Sequence, residues 1–295
     1  MRLFQVDAFT GDVFAGNPAA VCLLGGPAEP RWMQSVAGEM NLSETAFVEP
    51  RPAGYALRWF TPVAEIALCG HATLASAHVL YQAGLAEPEQ HVRFDSASGP
   101  LTARREDDLI VLDFPARPAA PAPPPPGLLA ALGVASPVWT GQAKEDLMVV
   151  LGREEEVTGV RPDTAALAAL NTRGVIVTAP ASRPGVDFVS RFFAPAVGIP
   201  EDPVTGAAHC TLAPFWAQRL GRPSLTGYQA SARGGMVRVR AEGERVLLGG
   251  HAVTVFSGHL SDAALPADGV TLHPPGVGGG AEKAAGPGDG ADPPE

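Results

Sequence analysis

The stretch Cys69-Gly-His-Ala-Thr-Leu-Ala-Ser-Ala-His-Val-Leu80 reads as the start of a helix that is apolar on most faces and stops near Gly84. A second stretch, Ala207-Ala-His-Cys-Thr-Leu-Ala-Pro-Phe-Trp-Ala-Gln-Arg-Leu-Gly221, reads the same way. His71-Ala-Thr-Leu-Ala75 returns as His209-Cys-Thr-Leu-Ala213. Around it, Arg58-Trp-Phe-Thr-Pro62 returns as Arg191-Phe-Phe-Ala-Pro195, and Ser96-Ala-Ser-Gly99 as Ser231-Ala-Arg-Gly234. Three matches in the same order predict two copies of one structural unit. A helix that is apolar all round has to be enclosed. The strand-like runs on either side of each helix supply the enclosure. The expected fold is therefore α+β, with two pseudo-symmetric lobes, each a mostly antiparallel β-barrel wrapped around a central helix.

Proline density divides the chain. Pro115 to Gly127 (PARPAAPAPPPPG) cannot form a helix or a central strand and reads as a stiff extended linker. The lobes are then residues 1–116 and 128–262, joined by 117–127, with the last strands free to return to the first lobe. Residues 273–295 hold almost no large apolar side chain and are expected to be disordered. In the first lobe, Pro30 to Met40 reads as a short helix with proline at its start, and Gly16-Asn-Pro18 as a turn before a strand.

The 295 residues carry a formal net charge of -10 and are 46% hydrophobic. No basic run occurs, which argues against nucleic acid and anionic membranes as partners. No apolar run reaches the length of a membrane span, and the first residues do not read as a signal peptide. Cys22, Cys69 and Cys210 are an odd number without CxxC spacing, which argues against a disulfide framework or a zinc knuckle. A cytoplasmic protein is expected.

Duplicated lobes meet at a cleft, and both helix starts would face it. Free N–H groups and the helix dipole favour an anion there, such as a small carboxylate or an enolate-like oxygen. Gly70 precedes one helix; Glu201-Asp-Pro-Val-Thr-Gly206 precedes the other. Three acid/base candidates lie close by. Glu44, in Asn41-Leu-Ser-Glu-Thr-Ala-Phe-Val48, has apolar neighbours that would desolvate it and raise its pKa. His71 at a helix start is expected to be held neutral by the dipole. Asp202 precedes Pro203. Local sequence also leaves plainer readings: Glu44 as a surface glutamate at a strand start, His71 as a capping or core histidine, and Asp202 as a turn aspartate. Cys69 at a helix start is a candidate reactive thiol. A two-thiol racemase, however, would need a cysteine on the facing start, and none is there; Cys69 reads better as a small buried residue.

Four long segments carry a resemblance: Phe4 to Val21, Asn41 to Val48, Arg58 to Leu80 and Arg191 to Leu212. The chain resembles the PhzF-like family, the phenazine-biosynthesis isomerase group within the diaminopimelate-epimerase fold. The resemblance implies two barrels, each around a central helix, and a cofactor-independent isomerase. Glu44 would take a proton from one carbon of a small unsaturated carboxylic acid and return it to another, in a biosynthetic, secondary-metabolite setting. His71 and Asp202 would orient the substrate and relay protons, completing a catalytic set Glu44, His71 and Asp202. Ser43, Gly70, Thr205, Gly206 and Ala207 would contact the substrate, a small carboxylate in the inter-lobe cleft. No metal and no organic cofactor are implied, and a homodimer is. The family pattern has a serine where this chain has Ala207. That departure leaves open a different substrate, or a protein that binds small molecules without turnover. An epimerase or racemase of an amino-acid-like substrate is a further alternative. A metal-dependent hydrolase built on His71, His209, Cys69 and Asp202 is disfavoured, because the two histidines fall in opposite lobes.

Overall fold

The structure, a computed structural model, describes residues 1–266; the tail expectation for 273–295 lies outside the described residues. The two halves repeat one succession of strands. In the first, Arg2–Ala8 pairs antiparallel with Asn17–Leu23, which runs parallel to Glu44–Arg51. Glu44–Arg51 folds back on Gly54–Phe60, and that strand runs parallel to Val92–Ser96. Gly99–Glu106 and Leu109–Pro115 complete the meander. In the second, Trp139–Ala143, Asp146–Val150, Gly174–Pro180, Phe188–Ala194, Ser224–Gln229, Gly235–Glu242 and Arg245–Gly250 follow the same order of antiparallel and parallel pairings.

A parallel pair needs a crossover, and this requirement places the helices. The helix Pro30–Met40 makes the first crossover of the first lobe; it buries only Met33, Val36 and Ala37, one stripe of a surface helix. The second crossover in each lobe is the central helix, Gly70–Gln82 or Gly206–Leu220. The first of these buries nearly every residue from His71 to Leu80. Alanines, a serine and a threonine let strands close round it, and Ser76 Oγ satisfies itself on Ala72 O at 2.7 Å.

The lobes are sewn together twice. Arg245–Gly250 pairs with Leu109–Pro115, and the last strand, Ala252–His259, crosses back to pair with Arg2–Ala8. The proline-rich segment also holds to the sheet: Ala120–Pro121 pairs with Gly141–Gln142. Pro214 inside the second central helix cannot donate to Cys210 O. Arg117 N, at the start of that segment, takes the freed carbonyl at 3.0 Å. Linker and helix interruption therefore complete each other. Short helices at Leu128–Leu132, Glu154–Gly159 and Thr164–Ala168 were not marked by the sequence pattern. No described helix is long and apolar enough to cross a membrane.

Candidate active site

The two central helices meet start to start. A Cβ added to Gly70 would lie 3.4 Å from the Gly206 Cα, and one added to Gly206 would lie 3.4 Å from that of Gly70. Two positive helix ends in van der Waals contact repel unless negative charge sits beside them. Glu44 and Asp202 supply it.

Each functional side chain comes from the end of an element. Asn17 and Glu44 begin neighbouring parallel strands, whose register sets Glu44 opposite Ala19. His71 is the second residue of the first central helix, and Asp202 ends the strand Ile199–Asp202. Glu44, Cys69 and His71 are buried. His71 Nε2 lies 3.1 Å from Glu44 Oε2, and Cys69 Sγ lies 3.5 Å from His71 Nδ1. On the other side, Thr205 Oγ1 donates to Asp202 Oδ2 at 2.5 Å. Gln229 accepts from Thr205 N at 2.8 Å and donates to Asp202 O at 2.7 Å, which fixes the loop.

Asn17 joins the two sides. It is fully buried. Its Nδ2 donates to Asp202 Oδ1 at 2.8 Å and to Val204 O at 2.9 Å, and lies 3.2 Å from His71 Nδ1. An amide has two N–H hydrogens, and the two shorter contacts use them. The strand reaches Asn17 through Gly16 at φ +62, where a Cβ would strike Ala8 O at 2.2 Å, so only glycine fits. Arg233 of the second lobe clamps this turn: it donates to Gly16 O at 2.8 Å, Ala15 O at 2.9 Å and the buried Asp7 at 2.8 Å.

Protonation follows from burial and neighbours. Burial works against a charged His71, but the Cys69 sulfur and the Glu44 carboxylate outweigh it, and the imidazole is held well above its ordinary value. The Cys69 thiol is itself raised, by burial first and then by Glu44. Cys69 first and Glu44 second are thus the neighbours that hold His71 up. This corrects the neutral imidazole expected from the helix dipole: an adjacent sulfur and carboxylate override a helix end. Asp202 is raised to about 6, chiefly by burial, against the lowering pull of His71 and of its hydrogen bonds from Thr205 and Asn17.

The equivalence of His71 and His209 also needs correction. Thr73 Oγ1 donates to Cys69 O at 2.5 Å, and His209 Nδ1 meets Thr205 O at 2.8 Å, each four residues back to the residue capping its helix. Thr73 and His209 are thus counterparts, and the counterpart of His71 is Ala207. His209 is buried beside Phe188, depressed to about 4 by burial, and lies outside the site. The set His71, His209, Cys69 and Asp202 therefore does not assemble. Glu44, Cys69 and His71 do: one ligand atom from each lies within 4.8 Å of the others. Of the remaining expected residues, Gly70, Thr205 and Gly206 form the helix starts, while Ser43 and Ala207 are half-buried next to Glu44 and Gly206.

Asp7, Asn17, Gln229 and Arg233 were not singled out by sequence. Two of them carried a signal. Asn17 sat in a turn before a strand, and Arg233 is the position where the repeated Ser-Ala-x-Gly blocks differ.

The family model for phenazine biosynthesis-like proteins matches residues 6–258. The chain belongs to the PhzF-like family. An uncharacterized isomerase of Pseudomonas aeruginosa is 52% identical over 260 residues, covering 88% of this chain and 98% of the relative. Another, from Halalkalibacterium halodurans, is 46% identical over 259 residues, 88% of this chain and 97% of the relative. The crystal structure of a PhzF-family protein from Enterococcus faecalis superposes with a TM-score of 0.83 at 44% identity, covering 87% of this chain and 97% of that one. A probable proline racemase of Agrobacterium radiobacter shares the fold alone, with a TM-score of 0.60 at 13% identity over 88% and 93% of the two chains.

Proposed function

We propose that this PhzF-like chain is a cofactor-independent isomerase. It moves a proton between carbons of a small unsaturated carboxylic acid held between the two helix starts. The observation that carries this reading is the buried Glu44–His71 pair, 3.1 Å apart, at the point where the helices converge. Glu44 takes the proton from the activated carbon, and the adjacent His71 orients its carboxylate. Charge then develops on the substrate oxygens, where the Gly70 and Gly206 amides and both helix dipoles stabilise it. Glu44 or Asp202 returns a proton to the second carbon. Asp202, at about 6, is suited to exchange protons near neutrality. Asn17 keeps the two acid/base groups in register across the lobes. These side chains and amides cover the whole proton balance, so the reaction calls on no further group.

The family's isomerase-named relatives support the reaction class. A biosynthetic pathway, a homodimer and a cytoplasmic location belong to the same proposal; three free cysteines, all buried, suit a reducing compartment. The test is incubation of small unsaturated carboxylates in deuterated water. The native chain incorporates deuterium, and Glu44→Gln slows incorporation by roughly 10²–10⁴-fold, the usual worth of a positioned base. Native-rate incorporation by Glu44→Gln would remove Glu44 from the role.

A further inference from the structure

Where Arg245–Gly250 of the second lobe pairs with Leu109–Pro115 of the first, a cavity of about 310 Å³ opens over the seam. Strand pairing sets Thr226 opposite Arg238, Arg238 opposite Gly249 and Gly249 opposite Val111, one row across both lobes. Gly249 makes the hollow. A Cβ there would meet Arg238 Cβ at 3.3 Å, Leu109 Cδ1 at 3.6 Å and Val111 Cγ2 at 3.7 Å. Leu248, between Leu247 and Gly249, points the other way: its Cδ1 lies 3.6 Å from where a Cβ on Gly206 would be. The cavity is therefore on the face of this strand opposite the helix starts.

Its floor is apolar and stands apart from the cores. Val111 and Leu247 are 5% and 6% exposed, yet neither belongs to a core cluster. Arg222, Arg238 and Arg240 stand around them, and arginine stems cover apolar surface while their heads stay wet.

Those heads are not balanced. Both carboxylates of the lining are engaged: Asp187 holds Arg222 and the Thr226 amide, and Glu106 holds Arg104. Arg240 Nε lies 2.7 Å from Glu242 but is misaligned, a buried donor without a hydrogen bond. Arg238 makes no ion pair among the described residues. Its Nη1 donates to Thr226 Oγ1 at 2.6 Å, and its other N–H groups have no protein acceptor there.

We propose that this seam cavity binds a small organic anion with an apolar body, its carboxylate on the Arg238 guanidinium and its hydrocarbon part on Gly249, Val111 and Leu247. A guanidinium takes a carboxylate through two parallel N–H bonds. An apolar floor with a few convergent polar groups is the usual make-up of a small-molecule site. A bare inorganic anion would leave the floor wet, and an uncharged ring would leave Arg238 unpaired. No residue of the proposed reaction takes part, so the site stands or falls independently of that reaction.

The test is NMR titration of the full chain with benzoate, with acetate and benzamide as controls. Expected is saturable movement of the Thr226, Arg238 and Gly249 amide signals with benzoate, and much weaker binding of acetate, which lacks the ring, and of benzamide, which lacks the charge. Arg238→Gln weakens benzoate binding at least ~10-fold, as loss of a hydrogen-bonded charge should. Gly249→Val fills the hollow and abolishes binding. Arg238 is exposed, so its replacement reports on the site even if the strand does not accept valine. Benzoate that moves no signal at the cavity, or moves only Gly70 and Gly206, overturns the site. Affinity unchanged by Arg238→Gln overturns the role of the guanidinium, and acetate or benzamide binding as tightly as benzoate overturns the ligand class.

Discussion

At the start of the first central helix stand Cys69, Gly70 and His71; at the start of the second, in the same three places, stand Thr205, Gly206 and Ala207. The backbone offered to the cleft is the same twice: a capping residue, a glycine, and free amides at a positive helix end. The side chains have diverged. The first start holds an imidazole paired to a buried carboxylate, and the second holds a methyl group next to a threonine pinned to Asp202. Duplication thus kept the main chain of the two starts alike and let their side chains diverge; in the proposed reaction the shared part stabilises the anion and the diverged part handles the proton. The same split shows away from the site. Arg58–Glu65 and Arg191–Glu201 occupy matching strands at 2.7 Å each, but Arg58 is half-buried and Arg191 is buried, with a further bond to Val160 O at 2.7 Å.

The sharpest way to break the comparison is at the second helix position. His71→Ala is expected to slow deuterium exchange by roughly 10²–10⁴-fold, as loss of an acid/base partner should. A fall much smaller than this, measured on the same substrates, would make the two starts functionally alike.

The Asp202 side is sharpened by stability. Its carboxyl is raised from 3.8 to about 6 in the folded chain. Between those values the folded state holds a proton that the unfolded state has lost, so this group's contribution to stability falls as pH rises through that window. At 1.36 kcal/mol per unit the loss is on the order of 3 kcal/mol. Denaturant melts of Asp202→Asn and the native chain from pH 4 to pH 7 should therefore show the variant gaining relative stability up to about pH 6, then a constant difference. A flat difference across the whole range would contradict the raised Asp202 carboxyl. The paired arginines give a smaller contrast. Glu201→Ala is expected to cost about 2 kcal/mol, because it leaves the buried Arg191 guanidinium without its half-buried partner, and Glu65→Ala about 0.5 kcal/mol, as for an exposed pair. Equal costs in chemical denaturation would mean the two halves are held alike. The smallest effect is expected from Ala207→Ser, which restores the hydroxyl that the family pattern implies. It should alter KM more than kcat in the exchange assay, since it adds a binding contact and no proton donor to the Glu44–His71 pair.

Much of this architecture was legible in the sequence because it rests on periodicity and punctuation. Central helices apolar on all faces, Gly84 and Gly221 at their ends, and Pro30 at a helix start are local signals, and the elements lie where those signals put them. Glu44, His71 and Asp202 were reachable for the same reason, as polar residues at element boundaries. The register between the lobes was not. Matching the letters of His71 to those of His209 misplaced the pair by two residues, because the helix start sets the correspondence and letters do not. Asn17 and Arg233 were hidden for a different reason. Their partners, Asp202 and Asp7, lie far away in sequence, and no local pattern records a hydrogen bond across two lobes. The charge of His71 was missed because Glu44 comes from another strand; a dipole argument confined to the helix leaves that carboxylate out.

The central claim is that a carboxylate from one strand and an imidazole from the first helix start act as a coupled pair. It is tested most directly by nitrogen-15 NMR titration of His71 in the ligand-free protein. The account predicts that His71 titrates well above 6.5 in the native chain, held up by Cys69 and Glu44 against burial, and that Glu44→Gln brings it down by removing one of those two contributions. A native His71 that titrates at or below the ordinary imidazole value, or one that Glu44→Gln leaves unmoved, would contradict it.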